Sequence, residues 1–243
     1  MISVVLPYWN RRDATLASLD LFAKHYVGIE VIIVDDGSQP SNAFEVVKDY
    51  PFALNVIRLP VKDQPKNPCV PINAGVKASR YDTVVISNPE IQHEQPVLME
   101  MYRELSGMGE MGYVLAACWC PEEKQWHCHS SIERRPDGEP FIRGTGYHFC
   151  GMLGKSLYWK AGGFDEDYRE GAGWDDPDWV NRLVRAGAIF RIRDDLVVQH
   201  PKRGCSTDWR GGMMERNQAI YRRKWPRLPF YASNPSQATT TST

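Results

Sequence analysis

Two acidic clusters carry residue types from which chemistry can be built. In the first, the apolar run Val84-Val85-Ile86 passes through Ser87 into Asn88-Pro89-Glu90; in the second, Gly171-Ala172-Gly173-Trp174 leads into Asp175-Asp176-Pro177-Asp178. Carboxylates ligate hard divalent cations and take protons from weak nucleophiles such as hydroxyls. Each cluster also has a plainer use. Asn88-Pro89 can cap a strand and leave Glu90 as a solvated acid, and Asp175 or Asp176 can N-cap a helix with Pro177 in its first turn. Capping needs one acid, however, and crowded carboxylates repel one another, so the excess at 175–178 points to function. A third acidic pair heads Asp35-Asp36-Gly37-Ser38, which makes a good turn by itself and could also accept hydrogen bonds from a base or ribose. Together the clusters suggest an enzyme that moves a phosphate-activated group with help from a metal.

The elements that must position these groups follow from the hydrophobic pattern. Apolar runs at 2–6, 31–34, 54–59 and 83–87 predict strands, and apolar residues at helical spacing predict helices over 13–24, with Asp13 as N-cap, 44–50, 72–79 and 97–106. Further on come a strand at 113–118, a Pro-, Gly-, His- and charge-rich excursion over 119–148, and regular structure over 151–161. A helix over 178–186, short strands at 190–193 and 196–199, and a helix over 213–225 complete the pattern. Alternation of this kind specifies an α/β fold, a single domain with a mostly parallel, Rossmann-like central sheet. The 243 residues suffice for one large domain. It is read as a nucleotide-binding half over 1–115 and an acceptor half over 116–230, with a disordered tail at 231–243.

Composition narrows the function. Lys and Arg number 29 against 30 Asp and Glu, a net charge of -1, which argues against nucleic acid as a partner. No apolar stretch approaches the ~20 residues of a membrane helix. The first residues lack a basic leader and meet Pro7 at once, so they read as a strand and not as a signal peptide. The expectation is a cytoplasmic protein, at most peripheral to a membrane, with its six cysteines reduced. Cys118-x-Cys120 and His127-Cys128-His129 offer zinc-type ligands, but their spacing matches no common zinc module. Trp174, Trp179, Trp209, Tyr147 and His148 offer aromatic faces on which the CH faces of a ligand could stack; ordinary packing is the alternative for each, and Trp174 stands out by its place beside the 175–178 acids. Lys202, Arg203 and Arg210, in the Gly-containing segment 201–212, could grip phosphates or form a solvated basic loop.

In an open parallel sheet, ligands bind beyond the carboxyl ends of the strands, where residues 7–12, 35–38 and 88–90 fall. The first of these loops lacks Gly-x-Gly-x-x-Gly, and no Gly-x-x-x-x-Gly-Lys-Ser/Thr occurs, which excludes a dinucleotide Rossmann site and a P-loop. Four segments, in order and spacing, resemble the family 2 glycosyltransferases. They are Val5-Leu6-Pro7-Tyr8-Trp9-Asn10-Arg11, Val31-Ile32-Ile33-Val34-Asp35-Asp36-Gly37-Ser38, Asn73-Ala74-Gly75-Val76-Lys77-Ala78-Ser79, and Gly162-Gly163-Phe164-Asp165-Glu166 followed by the 171–178 cluster. The resemblance runs from residue 2 to 225. It implies the GT-A fold and an inverting, metal-dependent transfer from a nucleotide diphosphate sugar, UDP before other bases, to a glycan or glycoconjugate hydroxyl.

Roles then carry over by position. Asp176 would be the general base and Asp175 an acceptor contact, beside Trp174, Tyr147 and His148. Asp36, with Pro7, Tyr8 and Asn10, would meet the nucleoside; Arg12 and Asn73 would join these donor contacts, and Asn88 would meet ribose or sugar. Glu90 would ligate the metal, and His200 resembles the late histidine that completes its site. The mixed N/O set with a diphosphate suits Mn²⁺ somewhat better than Mg²⁺. Asn88-Pro89-Glu90 departs from the usual Asp-x-Asp by one carboxylate, which lowers the charge available to a metal. Two other readings stay open: a non-catalytic nucleotide-sugar binder, and a sugar nucleotidyltransferase, which would normally carry a Gly-rich Lys/Arg loop after its first strand.

Overall fold

The structure, a computed structural model, describes residues 1–63, 67–132, 149–201 and 212–226. Val and Ile crowd β1 (Ile2–Tyr8) and β2 (Glu30–Asp35), which are buried on both faces, as strands in the middle of a covered sheet must be. β4 (Thr83–Ser87) pairs parallel with β1 on the side away from β2. β3 (Ala53–Arg58) pairs with β2 alone and is half exposed, an edge strand. Beyond β4 the sheet is mixed. β7 (Cys150–Gly154) lies antiparallel between β4 and β5 (Gly112–Cys120), β6 (Gln125–Cys128) forms a hairpin with β5, and β8 (Ile189–Gln199) runs parallel to β5. Two antiparallel steps restore direction, so β1, β2, β4, β5 and β8 all end at one edge of the eight-stranded sheet.

Helices α1 (Arg12–His25), α2 (Cys69–Ala78), α3 (Val97–Met108), α4 (Lys155–Lys160), α5 (Asp175–Ala186) and α6 (Met213–Lys224) complete the described fold. α3 buries Val97, Leu98, Met101 and Leu105, one apolar stripe. α2 lies close on β1 because Gly75 has no side chain: a Cβ there would stand 2.3 Å from Val5 Cγ1.

Several expectations are corrected. Residues 44–50 form no helix; a 3₁₀ turn at Pro40–Asn42 precedes irregular chain. Tertiary partners take the backbone instead: Phe44 N–H donates to Asp35 Oδ2 (3.0 Å) and its carbonyl accepts from Arg58 Nη2 (2.9 Å). Exposed, β-branched Val46 and Val47 add little helix propensity to oppose them. Asp13 is not a cap, since α1 starts at Arg12; it sits in the first turn, where an acid still favours the helix dipole. The strands at 190–193 and 196–199 are one element, β8, with a register shift opposite Ala116/Ala117. α5 starts at Asp175, not 178, after a left-handed Trp174 (φ 67°), so neither Asp175 nor Asp176 is its N-cap. The tail expected at 231–243 lies outside the described residues. No helix among the described residues is long and apolar enough to cross a membrane.

Candidate active site at the carboxyl edge of the sheet

The loops after β1 and β2 are clipped together. Asn10, in the left-handed region (φ 52°), donates its N–H to Ser38 Oγ (2.9 Å), and its Oδ1 accepts from Gln39 N–H (3.3 Å). The acids of the second loop divide their work. Asp35 accepts from Ser38 N–H and Phe44 N–H and shapes the turn. Asp36, nearly buried, pairs with Lys62 Nζ at 2.5 Å, while its own N–H donates to the Tyr8 carbonyl (2.7 Å). Pro7 and Tyr8 lie inside β1 and are buried. The Tyr8 hydroxyl donates to Asn42 O (2.5 Å), and burial, with the Asp35 charge, pushes its pKa up to about 12. These two residues hold the loops up from below. Arg12 opens α1, half-buried.

Glu90 and His200 are 110 positions apart, and an isolated bridge joins them. Gln92 and Gln199 exchange N–H···O bonds of 2.9 Å in both directions, and His200 N–H donates to Trp119 O (2.8 Å). This zipper sets His200 Nε2 3.2 Å from Glu90 Oε1, with Arg11 Nη1 2.5 Å from the same oxygen. Burial alone would raise the Glu90 carboxyl; the His200 hydrogen bond and the Arg11 charge overcome it and hold the pKa at about 2. Phe149 stacks on the His200 ring (4.7 Å between centroids, 17°). Asn88 is partly exposed, and its carbonyl accepts from Ile91 N–H (3.2 Å) to close the turn. A buried carboxylate and an imidazole converging in this way fit a divalent cation that takes N and O ligands. Arg11 already places one fixed positive charge beside them.

The acids of α5 also differ. Asp178 is buried and accepts from Tyr168 OH (3.2 Å), Trp225 Nε1 (2.7 Å) and Arg182 Nε (2.7 Å), which makes it structural. Burial raises its pKa in spite of those donors. Asp175 is buried and accepts from Asn67 Nδ2 at 2.7 Å. Asp176 alone of the three is partly exposed, in the first turn of the helix. Asn67 stands just before α2 and also caps it, since its Oδ1 accepts from Cys69 N–H (3.1 Å). The Cys69 thiol is raised by burial and then by the charges of Asp175, Glu166 and Asp36, so Asp175 and Asp36 both lie within electrostatic reach of the start of α2.

Other expected contacts have structural partners. Asn73 uses its whole amide within the protein. Its Nδ2 donates to Phe164 O (2.8 Å) and Glu166 Oε1 (3.0 Å), while its Oδ1 accepts from Tyr158 OH (2.5 Å) and Phe164 N–H (3.0 Å). Trp179 is buried and stacked on Phe164 (4.8 Å), the packing alternative given for it and not an acceptor contact. Trp174 is half-buried against Tyr221 of α6 (5.2 Å). Tyr147, His148, Lys202, Arg203, Trp209 and Arg210 lie outside the described residues. The sequence alone does not single out Arg11, Lys62 or Asn67. Arg11 stands inside a quoted motif, whereas Lys62 and Asn67 have no local signal, because only the fold brings them to their acids.

A family model described as glycosyl transferase family 2 matches residues 3–156. Chondroitin synthase of Escherichia coli is 30% identical over 82% of this chain, which spans 34% of that relative's length. Among solved structures, the mannosyltransferase PcManGT of Pyrobaculum calidifontis, in complex with GDP-Man and Mn²⁺, superposes with a TM-score of 0.65 at 16% identity, over 91% of this chain and 64% of that one. S. aureus TarS 1–349 in complex with UDP-GlcNAc gives 0.64 at 15% identity, over 88% and 60%. At these identities the structures speak for the fold.

Proposed function

The chain belongs to glycosyl transferase family 2, and from that premise we propose that it transfers a sugar, with inversion, from a nucleotide diphosphate sugar to a hydroxyl of a glycan or glycoconjugate. One observation carries the reading: Glu90, His200 and Arg11 converge beyond the carboxyl edge of the sheet, where the Asp36 loop also lies and where Asn67, ahead of α2, holds Asp175 in the first turn of α5 beside a partly exposed Asp176.

A sugar hydroxyl is a poor nucleophile. Asp176 takes its proton as the oxygen attacks the anomeric carbon from the face opposite the diphosphate. The new C–O bond forms while the bond to the diphosphate breaks, and the electron pair leaves on phosphate oxygen. One displacement inverts the centre, so no enzyme nucleophile is needed. Glu90 and His200 would hold a divalent metal, Mn²⁺ before Mg²⁺; when bound, it neutralises charge on the leaving diphosphate. Asp36, Asn10 and the loops they hold receive the nucleoside, and Trp174 and Asp175 border the acceptor. UDP is the first candidate base, in line with the UDP-GlcNAc bound by one structural neighbour.

The test is a thermal-shift series with UDP, GDP and their sugars, each with Mn²⁺ and with a chelator. A ligand at about 100 times its Kd stabilises the folded state by about 2.7 kcal/mol. The expected result is a Mn²⁺-dependent rise in Tm with one nucleoside diphosphate, lost in Glu90→Ala, together with turnover of the matching sugar. No rise with any of them overturns the donor site; a rise without turnover returns the chain to the class of sugar-nucleotide binders.

A further inference from the structure

The β5–β6 hairpin holds a second set of ligand atoms that sugar transfer does not use. Cys120 ends β5, Glu123 lies in the turn, and His127 lies in β6. The thiol sulfur, a carboxylate oxygen and an imidazole nitrogen lie within 4.8 Å of one another. The convergence has a structural cause. Cys118 pairs with Cys128 while Trp119 pairs with Trp126, so His127 is the extra residue of a β-bulge. A bulge takes a side chain out of the strict alternation and re-aims it. The turn at 121–124, with Lys124 left-handed (φ 51°), folds Glu123 back toward the strand, and His127 Nε2 lies 3.4 Å from Glu123 Oε2.

The donor set selects the ion. One sulfur, one nitrogen and one carboxylate oxygen form a borderline-soft set that suits Zn²⁺ and disfavours Mg²⁺ and Mn²⁺. Three protein ligands with a fourth position open to water is the usual arrangement of a non-structural zinc centre. Cys120 is buried, while the His127 and Glu123 side chains keep 21% and 30% exposure, so the set reaches the surface of the hairpin. Two neighbours lie against the ligand atoms. Gln125 Nε2 donates to Glu123 Oε2 (2.6 Å), and the Cys120 sulfur lies 3.9 Å from Glu122 Oε2, a further oxygen at the rim.

We infer that Cys120, Glu123 and His127 form a binding site for a Zn²⁺-class divalent cation, separate from Glu90 and His200. Binding replaces the thiol proton, which is released to solvent, by a sulfur–metal bond. The site adjoins the proposed donor centre: the His127 ring lies 5.1 Å from the His200 ring and 5.3 Å from Phe149, which stacks on His200. An ion on the hairpin would therefore fix the wall against which His200 packs.

The full-length chain, stripped with a chelator and titrated with Co²⁺ as a spectroscopic stand-in for Zn²⁺, tests this. The expected result is a thiolate-to-cobalt charge-transfer band that saturates at one equivalent and is erased by one equivalent of Zn²⁺. Glu90→Ala retains the band. Cys120→Ser loses it with its melting curve intact, and His127→Gln weakens Co²⁺ affinity by more than the roughly 10–100-fold typical of an outer-shell partner. Absence of the band in the unaltered chain overturns the inference, as does a band that survives Cys120→Ser and vanishes in Cys205→Ser.

Discussion

Two neighbouring acids in the first two turns of α5 have opposite fates, and substitution separates them. Asp176→Asn keeps shape and hydrogen bonding but cannot accept the proton. Transfer should fall by roughly 10²–10⁴ with nucleotide affinity unchanged by calorimetry; retained turnover would remove Asp176 as the base. Asp178→Asn should act on the fold, because it weakens the buried tie among Tyr168, Trp225 and Arg182. A loss of about 2–4 kcal/mol by urea titration is expected. A second buried titratable group sets a pH dependence. His93 is fully buried, with Nδ1 2.8 Å from Tyr26 OH; burial, then the charge of His25, lowers its pKa from 6.5 to about 3. Between those values the unfolded chain binds the extra proton, so stability falls as pH drops from 6.5, by at most about 1.4 kcal/mol per unit. Glu90, at about 2 when folded, adds its own loss only below 4.5. Urea midpoints between pH 7 and 5 should therefore slope in the unaltered chain and flatten in His93→Gln; an unchanged slope would assign it to other histidines.

Among the elements, α2 is the one that joins the sheet to the site. Gly75 lets it approach β1 and β2, and Asn73 ties it to the 164–166 loop. Gly75→Ala must push aside Val5 and Val34, and should lower stability by about 1–3 kcal/mol, read as a shift in the denaturant midpoint at constant slope. The same helix shows what a sequence can reveal. Its existence was legible from periodicity, although it starts at Cys69 and not at 72; β1, β2 and β4 were legible too, because strands buried on both faces read as unbroken apolar runs. The irregular 44–50 chain was not, because Phe44 looks helical by spacing and is claimed by Asp35 and Arg58 from elsewhere in the fold. Of the candidate site, Glu90, Asp36, Asp176 and His200 stood out in the sequence as polar residues at element ends. Asn73 stood out in the same way, yet its amide is wholly engaged within the protein, since a side chain at the right place does not disclose its partners. Arg11, Lys62 and Asn67 answer acids distant in sequence, which no local pattern encodes.

For the molecule as a whole, the family match ends at residue 156, whereas the proposed base and the late histidine lie beyond it. The proposed transfer would thus depend on contacts that hold the second half of the chain in register with the first. Asn67 is the most direct of these: one amide caps α2, meets Asp175 Oδ1 and reaches Gly173 O (3.3 Å). From the other side, Asn217 of α6 donates to Gly173 O (2.9 Å) and Tyr168 O (3.0 Å). Gly173 therefore sits between two clamps, one residue before the strained Trp174 and three before Asp176. Asn67→Ala removes one clamp and leaves Asp36, Lys62, Glu90 and His200 in place. A displaced base costs rate steeply, since a misplacement of about 1 Å can lower it by about 10²-fold, whereas the nucleotide makes no use of the base. The expected outcome is a fall in kcat of at least about tenfold with the nucleotide Kd within about twofold of its starting value. Equal losses in both would mean that Asn67 supports the donor pocket itself, and the two halves would then have to be treated as a single site.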